Sequence, residues 1–400
     1  MKPLAVTGVG VVAPFAIGFD AFVAALQDPA ASRELAFGGP CSALPEDKLP
    51  GAIAAEVRGF EPNDWLGEKG HRNFDRLTRY LIVVAKVALE HAGLKKDGAF
   101  TGALGPDQLG ICSSTAYGSL DSITELNLVA ELEDPRYINP ARFPNTVINA
   151  AAGYVSIWED LRAPNVTVVD GNCGALDAVL ACETHLAHRR ADAFLVGGGD
   201  VLTEPLYLAF QKLGARAEGQ AKWAPGREGS TGIRLGEGAA YLCVERRDEA
   251  EARGATLRAI VAGYGTAFEA PSTEARLLNP TPVAVERAIR MALDDAGLPP
   301  SAVDAVCSSA AGIARYDAAE LHGIERLLGR DVAIAAPKGL WGECFSGSAA
   351  LGMAASVAWL ERGVPPVPLV AGRAREQTRV VVVVSAGYYG NVSAVVLKRA

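Results

Sequence analysis

The sequence lacks the features of a disulfide-stabilised, zinc-binding or nucleic-acid-binding protein. Its seven cysteines are odd in number and include no Cys-x-x-Cys pair, which argues against a disulfide framework and a zinc site. It has no long basic run and a formal net charge of −8, so nucleic acid and anionic membranes are not expected partners. Aromatic residues make up only 7% of the chain.

A secretion signal is also missing from the first residues. The apolar stretch over residues 4–15 follows a single lysine and is interrupted by Pro14. It is too short and too poorly flanked to be a signal peptide or a membrane span. We therefore expect a first β-strand there and a cytoplasmic protein.

Apolar residues and glycine dominate the amino-acid composition. Half of the 400 residues are apolar and 43 are glycine, as is typical of apolar strands joined by glycine turns to closely packed helices. The alternation of uniformly apolar runs with helical patterns predicts an α/β protein. The predicted strands are residues 4–12, 109–113, 165–169, 193–196, 239–244, 257–263, 303–307 and 380–385, and the predicted helices are 76–92, 174–189, 282–296 and 345–361. Three segments rich in Gly, Pro and charge, residues 40–66, 217–236 and 267–281, are predicted to be surface loops.

A faint internal repeat suggests two similar halves. A strand, a glycine turn and a second strand occur over residues 192–200 and 236–247, and a similar pair occurs over 379–389 and 391–399. The repeat predicts halves at residues 1–250 and 251–400, each burying a sheet between helices.

Residues 165–179 have the pattern of an apolar strand, a sharp turn and a helix start. A thiol on such a turn meets the positive end of the helix, which lowers its pKa and favours a nucleophilic thiolate. Many α/β proteins contain this element, so it does not identify the chemistry by itself.

Together with five other motifs, this segment resembles the elongating β-ketoacyl synthases of the thiolase superfamily over almost the whole chain. The resemblance implies a thiolase-like α/β fold in which two duplicated halves form a five-layer α-β-α-β-α sandwich. The other motifs are VTGVGVVAP at 6–14, NAAAGYVSI at 149–157, LGEGAA at 235–240, KGLWG at 338–342 and SAGYYG at 385–390.

The residues that react in active family members are replaced here. Aligning the Leu-Asp-Ala at 176–178 puts Asn172 where the resemblance implies the nucleophilic cysteine. The Asp-x-x-Glu pair that follows the first catalytic histidine puts Ser309 at that position. The Lys-x-x-x-Gly motif puts Glu343 at the second catalytic histidine.

Other parts of the family's site are retained. The resemblance implies that Asp317, Glu320 and Lys338 form a charged support around the site. A scaffold that is kept while the reacting groups are lost predicts a stable relative that does not condense. A carboxylate at Glu343, roughly 4 Å from the developing negative charge at an effective dielectric of about 20, would raise the barrier by about 4 kcal/mol. A protonated Glu343 could donate a hydrogen bond instead, so its protonation state stays open.

Cys173 offers an alternative nucleophile, shifted by one position. Successive helical residues point about 100° apart, so its thiol is expected to point into the packing beneath the turn. No histidine lies at either base position to activate it. The five histidines fall in predicted helices or at their flanks and are expected at the surface or at helix ends: His71, His91, His185, His188 and His322.

The loss of all three reacting groups resembles the chain length factors of bacterial type II polyketide systems. This implies a heterodimer with an active ketosynthase, formed by strand pairing, with an acyl carrier protein bearing the growing chain and no cofactor or metal. Tyr117 then falls at the acyl-pocket position, with Leu120 and Asp121 one turn onward, where bulk would set the chain length. The alternative is that Tyr117 merely packs the interface.

Further positions are implied in the same way. Arg142 and Phe143 fall on a segment that approaches the partner's site in relatives. Tyr388 and Tyr389 occupy the family's Gly-Phe-Gly-Gly gating loop, so any gate is bulkier here. The run at residues 171–175 differs from the Glu-Gln-Ala-Gly-Gly-Leu-Asp run of aromatic systems, which favours a polyene or aryl-polyene system.

Two other functions stay open at this point. One is an enzyme of altered chemistry, either acyl transfer through Cys173 or decarboxylation of a malonyl carrier thioester assisted by the Asn172 amide. The other is a module that binds acyl carrier protein without chemistry.

Overall fold

The strands and helices alternate along the chain in the computed structural model, which describes residues 2–217, 223–271 and 281–400. The strands are β1 (Leu4–Ala13), β2 (Ala16–Ile17), β3 (Lys95–Lys96), β4 (Ala99–Phe100), β5 (Leu109–Ser114), β6 (Asn165–Val168), β7 (Ala193–Asp200), β8 (Gly238–Arg246), β9 (Ala259–Phe268), β10 (Ala305–Cys307), β11 (Ala333–Ala335), β12 (Leu369–Ala371), β13 (Val380–Ala386) and β14 (Asn391–Lys398). The helices are α1 (Phe19–Leu26), α2 (Pro29–Phe37), α3 (Pro62–Leu66), α4 (Arg76–His91), α5 (Leu120–Leu128), α6 (Ala150–Glu159), α7 (Gly174–Ala187), α8 (Glu204–Lys212), α9 (Arg247–Ala252), α10 (Pro282–Ala296), α11 (Ala314–Leu328), α12 (Lys338–Trp341) and α13 (Ser346–Arg362).

Two sets of five strands share one order and the same directions. The first runs β6-β5-β7-β8-β1 and the second β11-β10-β13-β14-β9. In each set the first three strands are parallel and the next two pairings are antiparallel. A short antiparallel pairing of β1 with β9 joins the sets, and β12 extends the second. An internal duplication would produce this arrangement, while the division of the chain at residue 250 stays a prediction.

Helices lie on both faces of each set and make five layers. The central layer is α7 and α13, whose apolar residues share one core with strands of both sets. On β7, Phe194 and Val196 face this core, whereas Leu195 faces the outer core under α4. Helix α10 covers the outer face of the second set. The predicted α/β class and five-layer sandwich are confirmed.

The long predicted elements are found with small shifts at their ends. The helix predicted over 282–296 is α10 (Pro282–Ala296), and the strand predicted over 193–196 continues to Asp200. Within the described ranges, none of the helices is both long enough and apolar enough to cross a bilayer.

The three predicted surface loops differ from the prediction. Cys41, Leu44 and Leu49 are buried in a core with Leu206 and Phe210. A second predicted loop likewise buries Trp223, Ile233 and Leu235, while residues 218–222 lie outside the described chain. In the third, β9 extends to Phe268, and residues 272–280 are not described. Gly- and Pro-rich composition indicates irregular backbone, and it does not determine exposure.

Strand β1 packs directly on the backbone of α4 through two glycines. A Cβ atom at Gly10 would lie 2.0 Å from the carbonyl oxygen of Val84, and one at Gly8 would lie 2.2 Å from that of Ala88. The first strand and its covering helix therefore approach as closely as backbones allow.

We expect Gly10→Ala to lower the free energy of unfolding by roughly 1–3 kcal/mol, because the added methyl group must push backbone atoms apart. Gly105→Ala is the matched control, since its backbone is extended (φ −100°) and the nearest atom to its Cβ lies at 3.7 Å. Urea denaturation of both variants measures the difference. Equal midpoints for the two variants would contradict the close packing of β1 on α4.

Candidate functional site

The sharp turn predicted before α7 is present and is anchored from the second half of the chain. It is a 3-10 turn over Gly171–Cys173, and Gly171 has the positive φ of 51° that glycine adopts most readily. Asn172 is 3% exposed, and its carbonyl oxygen accepts a hydrogen bond of 2.7 Å from the Ser385 hydroxyl. The end of β13 therefore fixes the turn.

The Asn172 side chain faces Glu343, as expected if both occupy one site. Its Nδ2 lies 3.4 Å from Glu343 Oε2. The same oxygen accepts hydrogen bonds from Lys338 Nζ at 2.7 Å and from the Tyr388 hydroxyl at 3.0 Å. An amide, an ammonium and a phenol thus converge on one carboxylate oxygen.

The other oxygen of Glu343 is held by the turn that follows it. Oε1 accepts from the Phe345 amide at 2.9 Å and from the Ser348 hydroxyl at 3.3 Å. Glu343 is 1% exposed and Lys338 is 4% exposed, so the pair is buried. Because every neighbour donates, the arrangement suits an ionised carboxylate, which only accepts.

Ser309 lies at the end of β10 and is tied to an acid rather than to Lys338. Its amide and hydroxyl donate to Glu320 at 2.7 and 2.8 Å, and its hydroxyl oxygen accepts from the Ala386 amide at 3.0 Å. Burial raises the pKa of Glu320 to about 7, and the Ser309 hydrogen bonds act in the opposite direction.

Asp317 supports backbone in the same region. Its carboxylate accepts from the amides of Gly226, Ala311 and Gly312 at 2.7 to 3.0 Å, and burial raises its pKa. The retained acids therefore hold the chain around Ser309, while the ion pair of Lys338 is with Glu343. The sequence had indicated one charged support, and the contacts divide it into two.

Cys173 points away from these groups. It is fully buried, and its thiol donates to the carbonyl oxygen of Ser385 at 3.1 Å. Burial raises the pKa of Cys173, and the charges of Asp177 and Asp170 raise it further. The environment thus opposes a thiolate, despite the start of α7 beside it.

The histidines lie elsewhere in the fold. His91 is in α4, His185 is in α7, His188 follows α7 and His322 is in α11. The expectation of a surface or helix-end position is wrong for His71, which is buried with Nε2 2.7 Å from the Gly67 carbonyl oxygen. Within the three described ranges, no group of three or more His, Cys, Asp or Glu residues is arranged to hold a metal ion.

A small cavity and a larger cleft lie near these groups. An enclosed volume of about 10 Å³ lies beside Ser309, Lys338 and Ser385, and it admits at most one water molecule. A cleft of about 270 Å³ lies on the outer side of Tyr388. Its lining is largely apolar and aromatic: Tyr117, Leu206, Ala209, Phe210, Leu213, Ala215, Ile313, Tyr388 and Tyr389.

Aromatic rings form the inner wall of this cleft. The Tyr117 ring meets Phe345 edge to face with centroids 4.8 Å apart, and Phe210 lies 5.5 Å from Phe345. Leu120, at the start of α5, packs on the same cluster, whereas Asp121 is exposed. Phe345 and Phe210 did not emerge from the sequence, because only the folded chain brings them to Tyr117.

Two family models match the chain: "Beta-ketoacyl synthase, N-terminal domain" over residues 1–250 and "Beta-ketoacyl synthase, C-terminal domain" over residues 258–370. The chain belongs to the β-ketoacyl synthase family. A protein named as a polyketide beta-ketoacyl synthase 2 in Streptomyces cyaneus is 29% identical over 412 residues, which cover 98% of this chain and 95% of that protein. The 3-oxoacyl-[acyl-carrier-protein] synthase 2 of Coxiella burnetii is 28% identical over 380 residues, covering 91% and 87%.

Solved structures of ketosynthases share the fold. The ishigamide ketosynthase/chain length factor superposes with a TM-score of 0.86 at 26% identity, covering 100% of this chain and 99% of that chain. A ketosynthase in complex with its chain length factor from Xenorhabdus doucetiae gives 0.80 at 17% identity, covering 100% and 98%. At that identity the likeness shows the fold alone.

One edge of this β-ketoacyl synthase family member carries exposed apolar side chains, which we call the edge face. Strand β6 pairs with β5 on one side only among the described strands. Arg142 and Phe143 lie nearby on a 3-10 segment, where Arg142 pairs with Glu125 and Phe143 is 64% exposed. The edge face comprises Leu128, Leu132, Tyr137, Phe143, Val147, Ile148, Ile157 and Val169, all 40% exposed or more.

The burial of the thiols gives a direct test of the site. All seven cysteines are buried, so we expect native protein to resist iodoacetamide and urea-unfolded protein to gain seven adducts. Intact-mass analysis over a time course measures both. Rapid formation of a single adduct on Cys173 in the native protein would contradict the position of its thiol.

Proposed function

We propose that this chain is a non-catalytic chain length factor, which pairs with an active ketosynthase and forms part of the wall of the acyl tunnel. The observation that carries the proposal is the buried Lys338–Glu343 ion pair, with the Asn172 amide beside it, at the positions where active relatives have their reacting groups. This site has the supports of a ketosynthase and none of its nucleophile or bases.

Charge and space both oppose condensation at this site. The reaction develops negative charge on an enolate and an oxyanion, and catalysis needs donors that are free to meet it. Here the donors are occupied by Glu343, whose charge would raise the barrier by about 4 kcal/mol at roughly 4 Å. The enclosed volume beside Ser309, Lys338 and Ser385, about 10 Å³, is too small for an acyl group.

The edge face supports a partner subunit. An unpaired edge strand offers a row of hydrogen-bonding groups to another strand, and a large exposed apolar patch commonly marks an interface. A subunit without a nucleophile contributes to synthesis only beside a subunit that has one. The ishigamide and Xenorhabdus doucetiae structures, which share this fold, are named for a ketosynthase together with a chain length factor.

The aromatic cleft supports a role in chain length. Tyr117 lies where its ring can bound an apolar chain. Ile148 of the edge face packs close to the adjoining Gly118, because a Cβ atom placed there would lie 3.0 Å from Ile148 Cδ1. The wall is therefore continuous with the surface that we assign to the partner. A further structure with this fold contains an acyl carrier protein bound to its type II polyketide ketosynthase, which supports delivery of the chain by such a carrier.

Co-expression with a ketosynthase that carries Cys-His-His tests the pairing. We expect a stable 1:1 heterodimer that condenses, whereas the purified chain alone takes up no acyl group from acyl carrier protein. Ile157→Asp, which puts a charge at a residue 78% exposed on the edge face, should weaken the heterodimer about thirtyfold or more.

Leu35→Asp is the matched control, because Leu35 is 60% exposed on α2, outside the edge face. Size-exclusion chromatography and titration of the two subunits measure assembly. A homodimer of this chain that condenses by itself would end the proposal.

Truncation of Tyr117 tests the tunnel wall. In the heterodimer, Tyr117→Ala should lengthen the product by one or more two-carbon units, because it removes the ring that lies against Phe345. Tyr117→Phe keeps that ring and should leave the length unchanged. Mass spectrometry of carrier-bound products measures the distribution, and identical lengths from the Ala and Phe variants would leave Tyr117 with a packing role only.

A further inference from the structure

One buried carboxylate accepts hydrogen bonds from the two chain segments that carry Tyr117 and Phe345. Asp200, at the end of β7, is 2% exposed. It accepts from the Thr115 hydroxyl at 2.7 Å and from the amides of Ala116 and Tyr117 at 3.0 and 3.2 Å. It also accepts from the Ser346 amide at 3.1 Å, at the first residue of α13.

The two segments that Asp200 joins are the ones that present the facing rings. In the first segment the donors are residues 115–117, of which Tyr117 is the last. In the second segment the donor is Ser346, and Phe345 directly precedes it. Phe345 has φ 49° and ψ −117°, a region that residues other than glycine rarely adopt. Such a conformation persists where its surroundings determine it, and here the carboxylates of Glu343 and Asp200 hold the amides on either side of its Cα.

Asp200 does this without a counter-ion. Among the described residues, no Lys, Arg or His forms an ion pair with it, and its donors are neutral. The N-terminal end of the 17-residue helix α13 is the favourable field nearby. Burial raises the pKa of Asp200 to about 7, while the four hydrogen bonds act to lower it.

An unpaired buried carboxylate is costly for stability, so its presence calls for a role that an apolar residue could not fill. Asp200 is not among the residues that line the cleft. Its hydrogen bonds come from three backbone amides and the Thr115 hydroxyl. They fix the distance between Tyr117, which lines the cleft, and Phe345, which lies against it.

We propose that Asp200 is a positioning residue, which holds Tyr117 against Phe345 and so determines where the tunnel wall stands. The expected effect of Asp200 on chain length rests on the proposed function. The local consequence, the order of the Tyr117 and Ser346 segments, is independent of that function.

The test is Asp200→Asn in the co-expressed heterodimer. The amide keeps the shape, but it offers one acceptor oxygen and turns an NH₂ toward N–H donors. We expect amide hydrogen exchange at Tyr117 and Ser346 to rise roughly tenfold and the product lengths to broaden, with heterodimer formation retained. Thr115→Val, which removes a single donor, should give a smaller change in the same direction and serves if the first variant does not fold.

Asp304→Asn is the control. Asp304 is a buried aspartate that accepts from the Arg379 and Val380 amides at 2.7 and 2.9 Å, away from the cleft, and unlike Asp200 it also forms an ion pair with Arg375. It should raise exchange near β13 and leave the products unchanged.

The outcomes separate the two proposals. Unchanged exchange at Tyr117 and Ser346 in a folded Asp200→Asn variant would overturn the positioning role. Faster exchange with unaltered product lengths would sustain that role and count against the chain-length function. The exchange measurement also works on this chain alone, should no heterodimer form.

Discussion

The carboxylate of Glu343 needs partners where it lies, because a buried ion without them costs several kcal/mol. Lys338 supplies the opposite charge, and Tyr388, Asn172 and the Phe345 amide supply hydrogen bonds. These partners come from α12, the turn between β13 and β14, the turn before α7 and the start of α13. Four segments from both halves of the sheet thus meet at the Glu343 side chain. The rest of the site depends on that junction.

If the chain is the non-catalytic subunit that we propose, this junction keeps the fold of a condensing enzyme intact without its chemistry. In an active centre the donors are arranged for charge that appears only in the transition state. Here the Glu343 carboxyl group accepts from those donors, so they are satisfied in the ground state. In the proposed function these groups form a structural tie between the two sets of strands, and the acids at Asp317 and Glu320 hold backbone.

The sequence predicted those parts of the structure that local pattern determines. The apolar strand at residues 193–196 and the amphipathic helix at residues 282–296 were predicted from the residue pattern, whereas β11 and β12, with three residues each, have no periodic signal. The family resemblance located Asn172 and Glu343 on the chain, but not their mutual contact across 171 residues. The strained turn at Phe345 and the donors to Asp200 were not predicted, because they arise from tertiary contacts that no local composition encodes.

The geometry of the turn before α7 supports our proposal that the Cys173 thiol, one residue along from Asn172, does not act as a nucleophile. Ser385 makes two hydrogen bonds to the turn. Its hydroxyl donates to the Asn172 carbonyl oxygen, and its own carbonyl oxygen accepts from the Cys173 thiol. Rotating the thiol toward Glu343 would break its hydrogen bond to the Ser385 carbonyl oxygen. A thiolate that did reach that position would meet the Glu343 carboxylate, and the like charge would raise its pKa further. In the function that we propose, the backbone of the turn and the carboxyl group opposite it therefore act together, so that Asn172, Cys173 and Glu343 all oppose the reaction.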